Sequence, residues 1–256
     1  MDRIGRILKQ SINQNPVNPV KFIFNRVAST KLKMIIAIDG PSGAGKSTLG
    51  KMLAKELGLL YLDTGAMYRA VGLAVFESGK DFYDAESVVE IARHSVIELI
   101  GEPDSLQIKL DGRDVSNEIR ASKVGQMASI VSTVPEVRVI LVEHQRRLGE
   151  NSAGGAVLDG RDIGTIVFPN ADLKFFLTAK PEARARRRYE EDKMRGRVTT
   201  YEETLAEINV RDERDVSRAD SPLSIAEDAI VIDTSELNLT EVYEQMFTLV
   251  KEISPI

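Results

Sequence analysis

One stretch of eight residues constrains the fold more than any other part of the chain. The string Gly40-Pro41-Ser42-Gly43-Ala44-Gly45-Lys46-Ser47 fits the pattern G-x-x-x-x-G-K-[ST] at every fixed position. An apolar run ending at Asp39 comes before it, and apolar residues at helical spacing follow it until Gly58. A glycine-rich turn is the alternative, but a strand before the string and an amphipathic helix after it favour a phosphate-binding loop.

The residue types in this loop explain how it would bind phosphate. Its glycines allow backbone conformations in which successive N–H groups point at one anion. Lys46 would add a positive charge near the terminal phosphates. Ser47 would offer its hydroxyl to Mg²⁺, with Thr48 the less suitable substitute, and would open a helix whose positive end faces the phosphates. The sequence therefore predicts a nucleoside-triphosphate site.

Composition limits the classes of protein that carry such a loop. Hydrophobic residues make up 43% and charged residues 29% of the 256 residues, as in ordinary soluble proteins. The net charge of −5 argues against general binding to nucleic acid, and the lack of cysteine excludes disulfides and thiolate metal sites. No apolar run approaches the roughly 20 residues that span a bilayer. We therefore expect a cytoplasmic protein with no membrane or nucleic-acid partner.

The first 33 residues differ from the rest of the chain. They hold seven Lys and Arg against the single acid Asp2, and the stretch from Asn13 to Pro19 would interrupt a helix. A transit peptide is one interpretation. A disordered extension or an early start codon is the favoured one, because Met34 stands directly before the first strand. The domain prediction is thus an extension at 1–33 followed by one domain at 34–256.

Strands and helices alternate from Met34 onward. Five short apolar runs predict strands at 35–39, 59–62, 155–159, 172–178 and 229–233. Periodic segments predict helices at 64–76, with Thr64 as N-cap, and at 121–133, 135–149, 200–216 and 239–253, plus a basic helix from Pro181. Residues 94–116 alternate instead and contain a hairpin turn at Asp111-Gly112. The pattern predicts an α/β fold: a five-stranded parallel sheet with helices on both faces, plus a small inserted antiparallel sheet.

Ligands of open α/β sheets bind beyond the carboxyl ends of the strands. Thr64, Tyr68 and Arg69 follow the second predicted strand, and the string Asp159-Gly160-Arg161-Asp162 follows the third. We expect these residues and the phosphate-binding loop to line one cleft.

Four sequence blocks, taken in order, resemble the motif series of bacterial cytidylate kinases, within the P-loop nucleoside monophosphate kinase superfamily. The blocks run from Asp39 to Ser47, from Leu62 to Arg69, from Asp159 to Pro169 and from Arg211 to Arg218. The similarity extends from about residue 34 to the C-terminal helix and leaves out the N-terminal extension.

This resemblance implies a reaction and a set of site residues. It implies transfer of the γ-phosphoryl group of ATP to CMP or dCMP, with Mg²⁺ and with ATP held by Gly40 to Thr48. The implied CMP-binding residues are Thr64, Tyr68, Arg69, Ser129, Arg138, Arg161, Asp162, Arg211, Asp215 and Arg218. Within that set Arg69, Arg161 and Arg218 would hold the phosphate, Arg211 and Asp215 the ribose, and Ser129, Arg138 and Asp162 the cytosine. Lys46, Arg161 and Arg218 are the implied catalytic residues, and a monomer is expected.

Physical chemistry agrees with this reaction, because a phosphate acceptor is already an anionic nucleophile and needs no general base. His94, in a predicted strand, and His144, in a predicted helix, are accordingly interpreted as structural. Taken alone, Arg211, Asp215 and Arg218 would form an exposed row of ion pairs at i, i+4 and i+7. In the same way Ser129 would be a helix-surface serine and Arg138 one member of a helix ion pair. Asp159 has two equal interpretations, a carboxylate that orders Mg²⁺ through water and a cap on the next turn.

A basic run covers residues 184–197, with Arg184, Arg186, Arg187, Arg188, Lys193, Arg195 and Arg197. A nucleic-acid patch is one interpretation; a lid at about 184–198 that closes over the triphosphate is the favoured one. The resemblance also places a monophosphate-binding region at about 63–150.

Three rival functions remain for comparison. A kinase of UMP or AMP is the nearest one. A GTPase would need Asn-Lys-x-Asp, and the closest string, Asn209-Val210-Arg211-Asp212, lacks the lysine. A nucleic-acid-binding ATPase is disfavoured by the acidic net charge.

Overall fold

The computed structural model describes residues 33–253, so the extension predicted for 1–33 lies, apart from Lys33, outside the described residues. The described chain divides into two compact units. We call residues 33–62 together with 154–253 the sheet unit, and Asp63–Ala153 the helical unit.

The sheet unit is built on five strands. In chain order they are β1 (Met34–Asp39), β2 (Leu60–Asp63), β6 (Gly155–Gly160), β7 (Leu173–Thr178) and β8 (Ile230–Asp233). They lie in the order β2-β6-β1-β7-β8, with parallel registers such as Ile36 opposite Val157 and Phe175 opposite Ile230. The predicted five-stranded parallel sheet is confirmed.

The register of strands β1 and β6 brings the segments that follow them to the same end of the sheet. All six residues of β6 are buried, as expected for an inner strand of a parallel sheet that is covered on both faces. Asp39 at the end of β1 lies opposite Gly160 at the end of β6. The phosphate-binding loop after Asp39 and the segment after Gly160 therefore leave the sheet at the same edge.

Four α-helices belong to the described part of the sheet unit, α1 (Lys46–Leu57), α6 (Pro181–Met194), α7 (Tyr201–Ser217) and α8 (Leu239–Ile253), and a short π-helix covers Ile163–Val167. Helix α1 buries Leu49 and Leu53 and packs against β6 and α8. It ends at Gly58, whose φ of 64° is favourable for glycine. Helix α7 begins with a capping box in which Thr200 and Glu203 each bond the other's backbone N–H.

The helical unit contains α2 (Thr64–Ser78), α3 (Ala85–His94), α4 (Ser122–Val131) and α5 (Pro135–Asn151). Its strands β3 (Ile97–Ile100), β4 (Gln107–Leu110) and β5 (Arg113–Asp114) form an antiparallel sheet in that order. Asp111 and Gly112 both have positive φ in the turn between β4 and β5, as a two-residue hairpin requires. The predicted inserted sheet is confirmed.

Three local predictions were wrong. His94 ends helix α3, which was not predicted, and the adjacent strand begins only at Ile97. The N-cap of α2 is Asp63, whose carboxylate accepts the N–H of Ala66 at 2.9 Å, rather than Thr64. Helix α7 ends at Ser217, so Arg218 has an extended backbone and does not continue the helical row.

Within residues 33–253, no single helix is long and apolar enough to cross a membrane; α4 and α5 reach such a length only as a pair bent by 103°.

Candidate active site

The loop between β1 and α1 adopts a conformation that depends on glycine. Gly40, Gly43 and Gly45 have φ values of 143°, 81° and 95°. A Cβ on Gly40 would lie 2.0 Å from the carbonyl oxygen of Leu177 in β7, so only glycine fits there. Gly45 is the N-cap of α1 and has no side chain that could accept a hydrogen bond from the first N–H groups of the helix. These N–H groups can therefore point at an anion.

Lys46 is a buried cation that has other cations close to it. Its side chain is 6% exposed, and Nζ donates to the carbonyl of Pro41 at 2.7 Å. Burial, the strongest cause, and the positive charges of Arg161 and Arg211 lower the pKa of Lys46 well below its usual value, against the opposing charges of Asp159 and Asp215. A negatively charged ligand next to the ammonium would raise that pKa again.

Oxygen groups suitable for Mg²⁺ lie beside Lys46. The hydroxyl of Ser47 donates to Oδ2 of Asp159 at 2.6 Å, and the hydroxyl of Tyr61 donates to Oδ1 at 3.1 Å. Mg²⁺ prefers such oxygens and takes its remaining ligands from phosphates and water. No group of three or more His, Asp or Glu side chains that could hold a metal occurs among residues 33–253. The Asp159 carboxylate thus accepts hydrogen bonds from two side chains, and its oxygens and the Ser47 hydroxyl are of the kind that Mg²⁺ prefers.

Arg161 and Asp215 form a nearly buried ion pair. Nε of Arg161 donates to Oδ2 of Asp215 at 2.6 Å, and the two side chains are 16% and 5% exposed. Burial raises the pKa of Asp215, but the charges of Arg161, Arg211 and Arg218 outweigh it and hold that pKa below its usual value. The carboxylate thus remains charged and fixes the Arg161 guanidinium.

The other arginines predicted near Asp215 have separate positions. Arg211 in α7 donates from Nη1 to the hydroxyl of Ser42 in the phosphate-binding loop at 3.2 Å. Arg218, after α7, donates from Nε to the carbonyl of Ser221, and its Nη2 lies 3.9 Å from Oδ1 of Asp162. Arg211, Asp215 and Arg218 belong to this network and not to an exposed row of ion pairs.

Asp39 is a buried carboxylate to which the sequence patterns assigned no role in the site. It accepts the N–H groups of Ile163 at 2.8 Å and Gly164 at 2.7 Å, directly after Asp162. Burial raises the pKa of Asp39 to about 6, although these two hydrogen bonds act to lower it. An aspartate at the end of an apolar strand is the pattern that singled out Asp159. Asp39 has the same pattern, which could have marked it as a site residue.

The helical unit holds the remaining predicted residues. Arg138 is 1% exposed, with its guanidinium 5.8 Å from the centre of the Tyr68 ring and Nη1 donating to the carbonyl of Ser132 at 3.4 Å. Ser129 and Thr64 are 3% exposed. A helix-surface serine at 129 is thereby excluded, and the Arg138 side chain is buried and not on the helix surface.

Arg69 also lies in the helical unit, where its Nη1 donates to the carbonyl of Ile119 at 2.7 Å. A Cβ on Gly125 would lie 3.3 Å from Nη2 of Arg69. The guanidinium therefore rests against the α4 backbone at a position where glycine leaves room for it.

Helix α6 contains most of the basic run. Several basic side chains of the run, in the helix and just after it, bond to protein groups: Arg184 to Ala179, Ser42 and Asp212; Arg187 to Thr234 and Leu237; Arg188 and Arg197 to Asp192; Arg195 to Glu191. The segment predicted as a lid thus begins within a regular helix. Arg184, its first arginine, is one of the buried residues of that helix.

A parallel α/β sheet with the loop G-x-x-x-x-G-K-[ST] at the end of its central strand defines a protein of the P-loop class. The model of the family described as "Cytidylate kinase" matches residues 36–252. The chain therefore belongs to the cytidylate kinase family.

Individual proteins agree with this assignment. The chain is 52% identical over 221 residues to the cytidylate kinase of Caldanaerobacter subterraneus subsp. tengcongensis, with 86% of this chain and 96% of the relative covered. It is 47% identical over 219 residues to the cytidylate kinase of a Geobacter species, with 86% and 93% covered. The solved structure of shikimate kinase from Bacteroides thetaiotaomicron is also similar, at 14% identity and a TM-score of 0.44 over 87% and 99% of the two chains. That last likeness is too low to bear on function.

Proposed function

We propose that this protein is an ATP-dependent CMP and dCMP kinase, which produces CDP or dCDP and ADP in pyrimidine nucleotide metabolism. The observation that carries the proposal is the buried Lys46 of the phosphate-binding loop, with Arg161 and Arg211 near it. Burial, the strongest cause, and the charges of these two arginines lower the pKa of Lys46 in spite of the charges of Asp159 and Asp215, and an anionic ligand would stabilise the charged ammonium. A triphosphate donor and a monophosphate acceptor would supply the negative charge.

The chemistry asked of the protein is positioning and charge neutralisation. The acceptor phosphate is already an anionic oxygen nucleophile, so no side chain has to remove a proton. Lys46 would stabilise the migrating phosphoryl group from the donor side. Arg161 and Arg218 would bind the acceptor phosphate, Arg161 with its guanidinium fixed by Asp215. Keeping water out would prevent hydrolysis of ATP, which is the role we propose for a lid at about 184–198.

Magnesium is part of the proposal. The Ser47 hydroxyl and, through water, the Asp159 carboxylate would hold the ion, because the two groups already lie 2.6 Å apart. When bound, Mg²⁺ would neutralise charge on the β- and γ-phosphates.

Recognition of the nucleotide is assigned to the remaining residues. Ser129, Arg138 and Asp162 would contact cytosine, Arg211 and Asp215 the ribose, and Arg69 the phosphate, with Thr64 and Tyr68 alongside. All three proposed base-reading side chains are almost fully buried, so each would require a polar partner when ligand is bound. The exocyclic amine of cytosine would donate to Asp162. Uracil would instead place a carbonyl oxygen towards that carboxylate, a mismatch that can cost several kcal/mol.

The proposal includes the remaining expectations from the sequence. We infer one kinase domain at 34–256, a monophosphate-binding region at about 63–150, a monomeric protein and a cytoplasmic location. The absence of a membrane-spanning single helix within 33–253 is compatible with that location.

A coupled ADP-production assay with a panel of monophosphates tests the proposed function. CMP and dCMP should be phosphorylated far more efficiently than UMP or AMP, because uracil would turn a carbonyl oxygen towards Asp162 and adenine is a larger, two-ring base than the proposed cytosine pocket accepts. Turnover of UMP or AMP equal to that of CMP would contradict the assignment of the base.

A further inference from the structure

One arginine of helix α6 contacts the back of the phosphate-binding loop. The side chain of Arg184 is 3% exposed. Its Nε donates to the carbonyl of Ala179 at 2.8 Å, Nη1 donates to the carbonyl of Ser42 at 3.1 Å, and Nη2 donates to Oδ2 of Asp212 at 2.6 Å. A second bond from Nη1 to Oδ1, at 3.1 Å, makes the contact with Asp212 bidentate.

Ser42 is the point where the loop meets two helices. Arg184 of α6 binds its carbonyl, and Arg211 of α7 binds its hydroxyl at 3.2 Å. Asp212, the partner of Arg184, follows Arg211 directly in α7. At the next loop residue, a Cβ on Gly43 would lie 3.1 Å from Cβ of Arg184, so the loop backbone rests against helix α6.

The residues that follow Ser42 would bind phosphate. Their N–H groups can converge on an anion only while the preceding peptide planes keep their orientation. Pro41, on the other side of Ser42, accepts the hydrogen bond of Lys46. A hydrogen bond that fixes the Ser42 carbonyl therefore fixes the peptide planes on both sides of Ser42. It orients the N–H groups that follow and the Pro41 carbonyl that binds Lys46.

We propose that Arg184 is a positioning residue for the phosphate-binding loop, which holds the loop in its ATP-binding conformation without touching phosphate. The inference rests on the proposed function and separates Arg184 from any arginine of the lid that reaches the triphosphate. Only a planar guanidinium can bind two carboxylate oxygens and two carbonyl oxygens at once; an ammonium at the same place cannot keep all four bonds.

The test compares Arg184→Lys, Asp212→Asn and the double variant with the wild type. Arg113→Lys is the matched control, because Arg113 pairs with the two carboxylates of Glu77 and Glu118, all three of them exposed. We expect Arg184→Lys to raise KM for ATP by about tenfold or more and to lower kcat, since small misplacements of binding groups are costly. KM for CMP should change by less than about threefold, and the control should behave as wild type.

General destabilisation has a different kinetic signature. It would reduce the amount of active enzyme and so lower apparent kcat while leaving both KM values unchanged. That outcome, or a KM for ATP equal to wild type, would overturn the proposal. Asp212→Asn should also raise KM for ATP. The effect on KM in the double variant should be smaller than the two single effects combined, because both substitutions remove the same contact between Arg184 and Asp212.

Binding without turnover separates this inference from the proposed reaction. Calorimetric titration with the non-hydrolysable analogue adenylyl imidodiphosphate and Mg²⁺, without any acceptor, should show weaker binding to Arg184→Lys by about tenfold or more. If CMP is not a substrate but this loss is seen, the proposed function fails and the role of Arg184 stands. Equal analogue affinity in wild type and variant refutes the role of Arg184 while CMP turnover is unaffected.

Discussion

Replacing Asp39 with asparagine should change how the stability of this protein depends on pH. Asp39 is 4% exposed, and its two carboxylate oxygens accept the N–H groups of Ile163 and Gly164. Burial, assisted by the nearby charge of Asp162, raises its pKa from 3.8 to about 6, against the effect of these hydrogen bonds and of Lys46. Asparagine has nearly the same shape and does not titrate.

The size of the effect follows from the two pKa values. The rise from 3.8 in the unfolded chain to about 6 in the folded chain corresponds to about 3 kcal/mol, at about 1.4 kcal/mol per pKa unit. Between these values the folded chain binds more protons than the unfolded chain, so the free energy of unfolding falls as pH rises through this window. Above pH 6 both states are ionised, and the full cost of burying the charge remains.

Urea unfolding of wild type and Asp39→Asn, measured in parallel from pH 4 to pH 7, checks this reasoning. Other titrating groups are common to both proteins, so the difference between the two free energies of unfolding reports Asp39 together with its coupling to Asp162 and Lys46. The wild type should lose about 2 kcal/mol of stability relative to Asp39→Asn between pH 4 and pH 7, most of it below pH 6, because pH 4 already lies above the unfolded-state pKa of 3.8. A difference that stays constant with pH would refute the account of Asp39 as a buried carboxyl with a raised pKa.

Three further substitutions test the site. Lys46→Ala should abolish phosphoryl transfer while circular dichroism and unfolding remain cooperative, and preserved turnover would mean that the loop is not the catalytic phosphate site. Asp162→Asn should narrow the ratio of kcat/KM for CMP over UMP, since an amide can donate to the uracil carbonyl; an unchanged ratio would show that Asp162 does not read the base. Gly40→Ala should destabilise the protein by more than about 3 kcal/mol in urea, because the new Cβ would lie 2.0 Å from the carbonyl of Leu177, and unaltered stability would contradict the observed loop geometry.

The sequence predicted the parts of the structure that depend on local patterns. The phosphate-binding loop was predicted because glycines are required at fixed positions, and the five strands because buried parallel strands are short, apolar and bounded by turns. The turn at Asp111 and Gly112 was predicted for the same kind of reason, since only a few residue types tolerate positive φ at both positions.

Features that depend on distant contacts were not predicted. Helix α3 is an exception, because its signals are local: Asp84 caps its first turn, and Val88, Ile91 and Ala92 recur at helical spacing, although the helix was not predicted. The role of Asp39 depends on N–H groups more than 120 residues away in the chain. The burial of Arg184 depends on a carboxylate in another helix, and a run of arginines gives no sign of which member points inward.

If the loop beginning at Gly40 delivers a phosphoryl group to CMP and not to water, the transferred phosphate can be followed directly. ATP labelled in its γ-phosphate is incubated with the protein, Mg²⁺ and CMP, and the nucleotides are then separated from inorganic phosphate. We expect label in CDP, little label in inorganic phosphate, and no transfer by Lys46→Ala. Label that accumulates in inorganic phosphate, or that reaches UMP as readily as CMP, would contradict this expectation.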